Sequence, residues 1–151
     1  MVRTAAKLFG YVFVLIGVLG FVPGLAPDGH LLGIFHINTL HNIIHLASGA
    51  VALMAGYSSY KNSRLYFQVF GVVYGLVALL GLISGDNDIL GLVANNTADN
   101  LLHIAIAAAA LYQVFRPALD RATAVLLLPA HSRIDRLSPH FFLYSLTLNN
   151  C

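Results

Sequence analysis

Four histidine, asparagine and aspartate positions recur at one spacing in two places. Asn38-Thr-Leu-His41-Asn42-Ile-Ile-His45 returns as Asn96-Thr-Ala-Asp99-Asn100-Leu-Leu-His103. Imidazoles and a carboxylate at i, i+3, i+4 and i+7 fall on one face of a helix, and such groups can ligate, relay a proton or glue helices together. His45 and His103 could serve as axial ligands to a haem or hold a chlorophyll-type pigment. His41 and His45, one helical turn apart, could share Zn²⁺ or Cu²⁺ with His103 and Asp99. The plainer reading needs no ligand. Asn38, Asn96 and Asp99 suit the caps of two helices. Asn42 and Asn100 would then hydrogen-bond across a helix interface, and His45 and His103 would be neutral, bonded to a carbonyl or an amide.

The elements that must position these groups are apolar. Hydrophobic residues make up 58% and charged residues 9% of the 151, against roughly 25% charged in a soluble domain. A soluble fold of this length could not hide so much apolar surface, so the solvent for most of it is lipid. Four stretches of near-spanning length stand out, at about 5–22, 39–57, 65–84 and 97–115. Each approaches the ~20 residues that cross ~30 Å of hydrocarbon as a helix. The apolar runs are continuous rather than alternating, which argues against barrel strands. In this setting the repeated polar octet is costly and calls for a reason.

The duplication extends beyond the octet. Residues 9–20 align with 70–81 with six identities in twelve, and 38–53 align with 96–111 with eight in sixteen. The expected fold is therefore an all-α integral membrane four-helix bundle, built from two tandem transmembrane hairpins in a parallel internal repeat. Repeat one covers about 5–57 and repeat two about 65–115, within a transmembrane domain at 1–116. A signal peptide is an alternative reading of the first span, because Arg3 and Lys7 precede it. Its match to the third span argues that it is retained. Spans two and four are expected to meet along their polar faces, bringing His41 to Asp99, Asn42 to Asn100 and His45 to His103. Spans one and three flank them, with Gly71 and Gly75 as a close-packing GxxxG pair. The two histidines lie ~10 Å below the outer helix ends, at the foot of a polar funnel. His30 and His36, without counterparts in the second repeat, read as loop residues at its mouth.

All eight basic residues fall on one side of this arrangement: Arg3, Lys7, Lys61, Arg64, Arg116, Arg121, Arg133 and Arg136. The positive-inside rule then places both termini in the cytoplasm. Trp is absent, so interfacial anchoring falls to Tyr11, Tyr57, Tyr60, Tyr66 and Tyr112. The basic residues are too scattered for nucleic-acid binding. The single cysteine, Cys151, offers neither an intrachain disulfide nor a prenylation box. Asn95-Asn96-Thr97 is formally a glycosylation sequon, discounted because it abuts the membrane. Pro117 is expected to end span four. Residues 117–151 form a cytoplasmic tail, interfacial or disordered, with a short interfacial helix at 119–128 as one option.

The runs from Leu32 to Leu46 and from Asn96 to Ile104, with Gly17-Val-Leu-Gly-Phe-Val-Pro23, resemble the prokaryotic membrane-protein family called domain of unknown function 4383. The resemblance covers roughly residues 5–115 and implies a four-helix protein of a bacterial plasma membrane. It implies no activity. Where that family tends to have glycine after the second His run, this chain reads Ala105-Ile-Ala-Ala-Ala.

No Ser/His/Asp order, phosphate loop or paired carboxylate site is present, and the chain has no Glu. The first functional expectation is a non-enzymatic accessory or partner-binding subunit in the lipid bilayer, in contact with other membrane-protein subunits, with its Asn/His cluster fixing helices two and four. The second is a haem-, pigment- or metal-binding protein. A conduit is disfavoured, because the inner halves of spans two and four carry only Ser48 and Gln113 as polar groups.

Overall fold

The computed structural model describes residues 1–127. Its compact unit runs from Met1 to Val114, and a second unit begins at Phe115. The fold is all-α, with four helices: α1 at Val2–Leu19, α2 at Thr39–Ser58, α3 at Tyr60–Ser84 and α4 at Thr97–Leu126. α1, α3 and the stretch Thr97–Arg116 of α4 are long and apolar enough to cross a membrane. α2 has the length, at 20 residues, but His41, Asn42 and His45 dilute its apolar character.

The helix ends have local causes. α1 stops at Leu19, short of the expected 22, because Gly20 follows and Pro23 disfavours helical backbone at the residue before it. α2 and α3 are separated by Ser59 alone, an extended residue whose side chain accepts from the Asn62 N–H at 3.1 Å. Ser63 Oγ closes the corner on the carbonyl oxygen of Ala55 at 2.9 Å. Arg3 donates to the carbonyls of Gly56 and Tyr57 at 3.2 and 3.1 Å, capping the end of α2 from α1. Tyr11 and Tyr57 share a hydroxyl hydrogen bond of 2.7 Å beside them.

Two expectations fail here. Pro117 does not end α4, which continues to Leu126. A proline removes one backbone bond, and the run of helix formers from Ala118 onward carries the helix past it. Tyr66 is no interfacial anchor. It is a core residue, while Tyr11, Tyr57, Tyr60 and Tyr112 are exposed. Of the tail, 117–126 are the end of α4 and Leu127 is a turn; the expectations for 128–151, Cys151 included, lie outside the described residues.

Small residues set the helix spacing. α1 and α2 approach so closely that a Cβ on Gly10 would come within 2.9 Å of the Gly49 carbonyl oxygen, and the reverse. At the equivalent places α3 sets Gly71 against Leu111, and α4 buries Ala107 and Ala110. Gly75, the other half of the expected GxxxG pair, faces open space. α1 and α3 touch through rings: Phe9 on Phe67 and Phe70, Phe13 on Phe70 and Tyr74, all edge-on at 5.2–6.1 Å. This aromatic stack is the core.

The two outer loops share a form. In the first, the two-residue strands β1 (His30–Leu31) and β2 (Phe35–His36) pair antiparallel. In the second, Ile89 bridges Val93 in the same sense. Each turns through a Leu-Gly pair of positive φ, Leu32-Gly33 and Leu90-Gly91, a conformation that suits glycine and is rare for leucine.

Gly49→Ala is expected to cost about 1–3 kcal/mol by forcing α1 and α2 apart. Gly75→Ala is expected to be neutral or to stabilise by up to about 1 kcal/mol, since it adds helix propensity into open space. Unfolding midpoints of the two variants in mild detergent check both.

Candidate functional site: a buried three-histidine cluster

The site is built on two capped helix starts. Asn38 Oδ1 accepts the His41 N–H at 2.9 Å, and Asn96 Oδ1 accepts the Asp99 N–H at 3.0 Å. Asp99 Oδ2 returns a bond to the Asn96 N–H at 3.0 Å, completing a capping box. Each cap also reaches the other loop. Asn38 Nδ2 donates to the Leu92 carbonyl and Asn96 Nδ2 to the Ile34 carbonyl, both at 2.8 Å.

One layer further in, the exchange repeats with its polarity reversed. His41 Nδ1 lies 2.9 Å from the Ala94 carbonyl oxygen. A carbonyl accepts, so Nδ1 carries a proton, and Nε2 is the ring nitrogen left available to a ligand. On the other side, Asp99 Oδ2 accepts the His36 N–H at 3.0 Å. His41 and Asp99 are within electrostatic reach of each other, as expected, but the hydrogen bonds of each go to backbone of the opposite loop. Both side chains lie at the same layer, each spoken for by the opposite loop.

Below them three imidazoles converge. His41, His45 and His103 are 3%, 4% and 4% exposed. One ring nitrogen from each lies within 4.8 Å of the others. His41 stacks on His45 at 4.8 Å and sits 5.9 Å from His103, centroid to centroid. Phe13 abuts His45 at 5.1 Å and Tyr74 abuts His103 at 5.7 Å, so the top of the aromatic stack is the floor of the site. The Nδ1 atoms of His45 and His103 are buried and have no hydrogen-bond partner.

The amides fall elsewhere than expected. Asn42 packs on Gly20 and Asn100 on Gly81, so closely that a Cβ on either glycine would land on the amide. The carbonyl oxygens of both amides are buried without a partner, and no hydrogen bond joins the two among the described residues. Each asparagine fills the end of its own hairpin partner helix instead of bridging α2 to α4. Asn95 is fully buried, with Nδ2 bonded to the Gly85 carbonyl at 2.8 Å, which leaves no room for a glycan.

His30 and His36 stand opposite each other across the β1–β2 pairing, with rings stacked at 4.9 Å. With Asp86, Asn96, Thr97 and Ala98 they line an open cavity of about 480 Å³. The residues 58 positions on are Asp88 and Ala94, so the second loop carries no such histidine pair. Sequence reasoning did not find the Ala94 carbonyl, Phe13 or Tyr74. The matching Leu-Gly turns, 58 residues apart, were the available signal for the first.

A family model described as Domain of unknown function (DUF4383) matches residues 3–115. The chain belongs to that family. No curated protein and no solved structure matches it. The matched residues hold all three histidines and both crossed loops, and they end where the first compact unit ends.

Replacing Asp99 tests the latch. Asp99→Ala is expected to cost about 1–3 kcal/mol, because two half-buried N–H groups lose their acceptor. Asp99→Asn keeps an acceptor oxygen and is expected to cost less. Hydrogen exchange at the His36 and Asn96 amides, with unfolding midpoints, measures both effects.

Proposed function

We propose that this is a non-enzymatic integral membrane protein that holds one d-block metal ion between α2 and α4, on the ring nitrogens of His41, His45 and His103. The observation that carries the proposal is the convergence of three buried imidazoles in which His41 is already oriented by a carbonyl on its far nitrogen. Metal-ligating histidines nearly always have such a partner on the other ring nitrogen.

The competing reading, a purely structural seam in an accessory subunit, needs its polar groups satisfied. A glue histidine is hydrogen-bonded. His45 and His103 Nδ1 and the Asn42 and Asn100 oxygens are not. A macrocycle fits less well than an ion. The third imidazole stands within 4.8 Å of the two would-be axial ligands, inside the footprint of a porphyrin, and Phe13 and Tyr74 crowd the remaining side. Asp99 stands apart from the ligand cluster.

The membrane reading is supported by apolar outer faces. Within the three candidate spans, 28%, 33% and 33% of the window is buried inside the protein. The rest, including Leu15, Val69, Val72, Leu76 and Leu101, is exposed and suits lipid or neighbouring membrane-protein subunits. Two tandem hairpins are supported by equivalences at fixed offsets. Gly10 on Leu53 corresponds to Gly71 on Leu111, Gly20 on Asn42 to Gly81 on Asn100, and the loop bonds exchange as pairs. The charge distribution favours a bacterial plasma membrane with both termini and the 117–151 tail cytoplasmic.

Elemental analysis of the protein purified in mild detergent, after loading with Zn²⁺ or copper and removal of loose ions, is expected to give one metal per chain. His103→Ala is expected to lose it. A wild-type chain that folds, by circular dichroism, and retains no metal would return the cluster to a structural role.

A further inference from the structure

Resting on that reading, we infer that the ion held by His41, His45 and His103 is monovalent copper rather than a divalent metal. Three features of the site point to it. The first is charge. All three ligands are imidazoles, which bind an ion as uncharged donors, they are almost completely buried, and the rings of Phe13 and Tyr74 abut His45 and His103. Placing an ion in so apolar a setting has a desolvation cost that grows with the square of its charge. A divalent ion needs anionic ligands or a bound hydroxide to offset that cost; a monovalent ion needs far less.

The second is ligand number. Zn²⁺ held by three histidines takes a water as its fourth ligand, and the rings of Phe13 and Tyr74 that abut the cluster disfavour a water there. Among the described residues the cluster offers three donors. The carboxylate that could be a fourth, Asp99, has no oxygen among the donor atoms that lie within 4.8 Å of one another, and its Oδ2 accepts the N–H groups of His36 and Asn96 at 3.0 Å each. Cu²⁺ favours a tetragonal ligand set, and the cluster offers three donors among the described residues rather than four. A filled-shell Cu⁺ ion has no ligand-field demand and accepts three nitrogens.

The third is the counter-charge. Asp99 lies one turn before His103 on the same face of α4, and it is 2% exposed. One carboxylate outside the ligand shell balances one positive charge. With Cu⁺ the buried assembly of ion, three imidazoles and carboxylate is neutral, and with a divalent ion it retains a net positive charge.

The test compares ions on the whole protein in detergent. Under anaerobic, reducing conditions the chain is titrated with Cu⁺ against a chromophoric Cu⁺ chelator, and separately with Zn²⁺ against a zinc-sensitive dye. X-ray absorption at the copper edge then gives oxidation state and coordination. The expected result is one Cu⁺ per chain with three nitrogen neighbours, and Zn²⁺ held at least a hundredfold more weakly. His103→Gln, which keeps a polar side chain of similar reach, is expected to abolish Cu⁺ retention with an unchanged helical spectrum. Asp99→Asn, which keeps the backbone bonds but removes the charge, is expected to weaken Cu⁺ by roughly tenfold. Zn²⁺ bound by the three histidines as tightly as Cu⁺ would overturn the assignment to copper while leaving the metal site standing. Retention of neither ion by a folded chain would overturn both.

Discussion

The first turn of a helix leaves free backbone groups that must find partners. In this chain each start finds part of them on the opposite loop. Asn38 and Asn96 each cap their own helix and donate across to Leu92 and Ile34. His41 and Asp99 complete the exchange with Ala94 and His36. The four crossed bonds tie the start of each helix to the loop before the other. That tie sets the heights of His41 and His45 on one helix against His103 on the other. A slip of one residue would rotate a ring out of the cluster.

Half of the aligned positions of the two similar segments differ, and three of the differences lie at or beside the site. His41 stands where the other half has Asp99, Phe13 where it has Tyr74, and Gly49 where it has Ala107. The first exchange swaps a donor for an acceptor and still satisfies the loops, because the partner is a carbonyl on one side and an N–H on the other. It also makes the cluster a triad. A fully symmetric octet would bring four imidazoles together or two, with no carboxylate or with two. Steric fit is retained throughout: the small residue at 49 or 107 keeps the helices close in both halves.

Much of this was legible in the residues. Periodicity and apolar run length located the four helices, because those signals are local. The shared polar face of α2 and α4 followed from spacing, because i, i+3, i+4 and i+7 geometry is fixed. Partner choice was not legible. His41 and Asp99 look like an ion pair when written side by side, yet both are taken by loop backbone, and backbone groups have no letter in a sequence. Asn42 and Asn100 looked like interhelical glue. Their actual neighbours, Gly20 and Gly81, lie on α1 and α3, and a glycine announces a close approach without saying to what. Tyr66 shows the same limit: its position near a helix start suggested an interface, and only the packing against Phe67 and Phe70 reveals a core ring.

The position of the aromatic stack decides which side the cluster faces. On the inner side Phe13 and Tyr74 abut the imidazoles, and Phe9, Phe67 and Phe70 close ranks behind them, with Phe67 fully buried. Ser48 on α2 is engaged by the hydroxyls of Tyr66 and Tyr74 at 3.4 Å. A hydrated ion has no path through packed rings, because a dry aromatic layer offers nothing to replace its water shell. Toward the loops the surroundings are polar, with amides, carbonyls and the open cavity beneath His30 and His36. The polar approach to the three histidines is therefore the loop side, where the four crossed bonds lie.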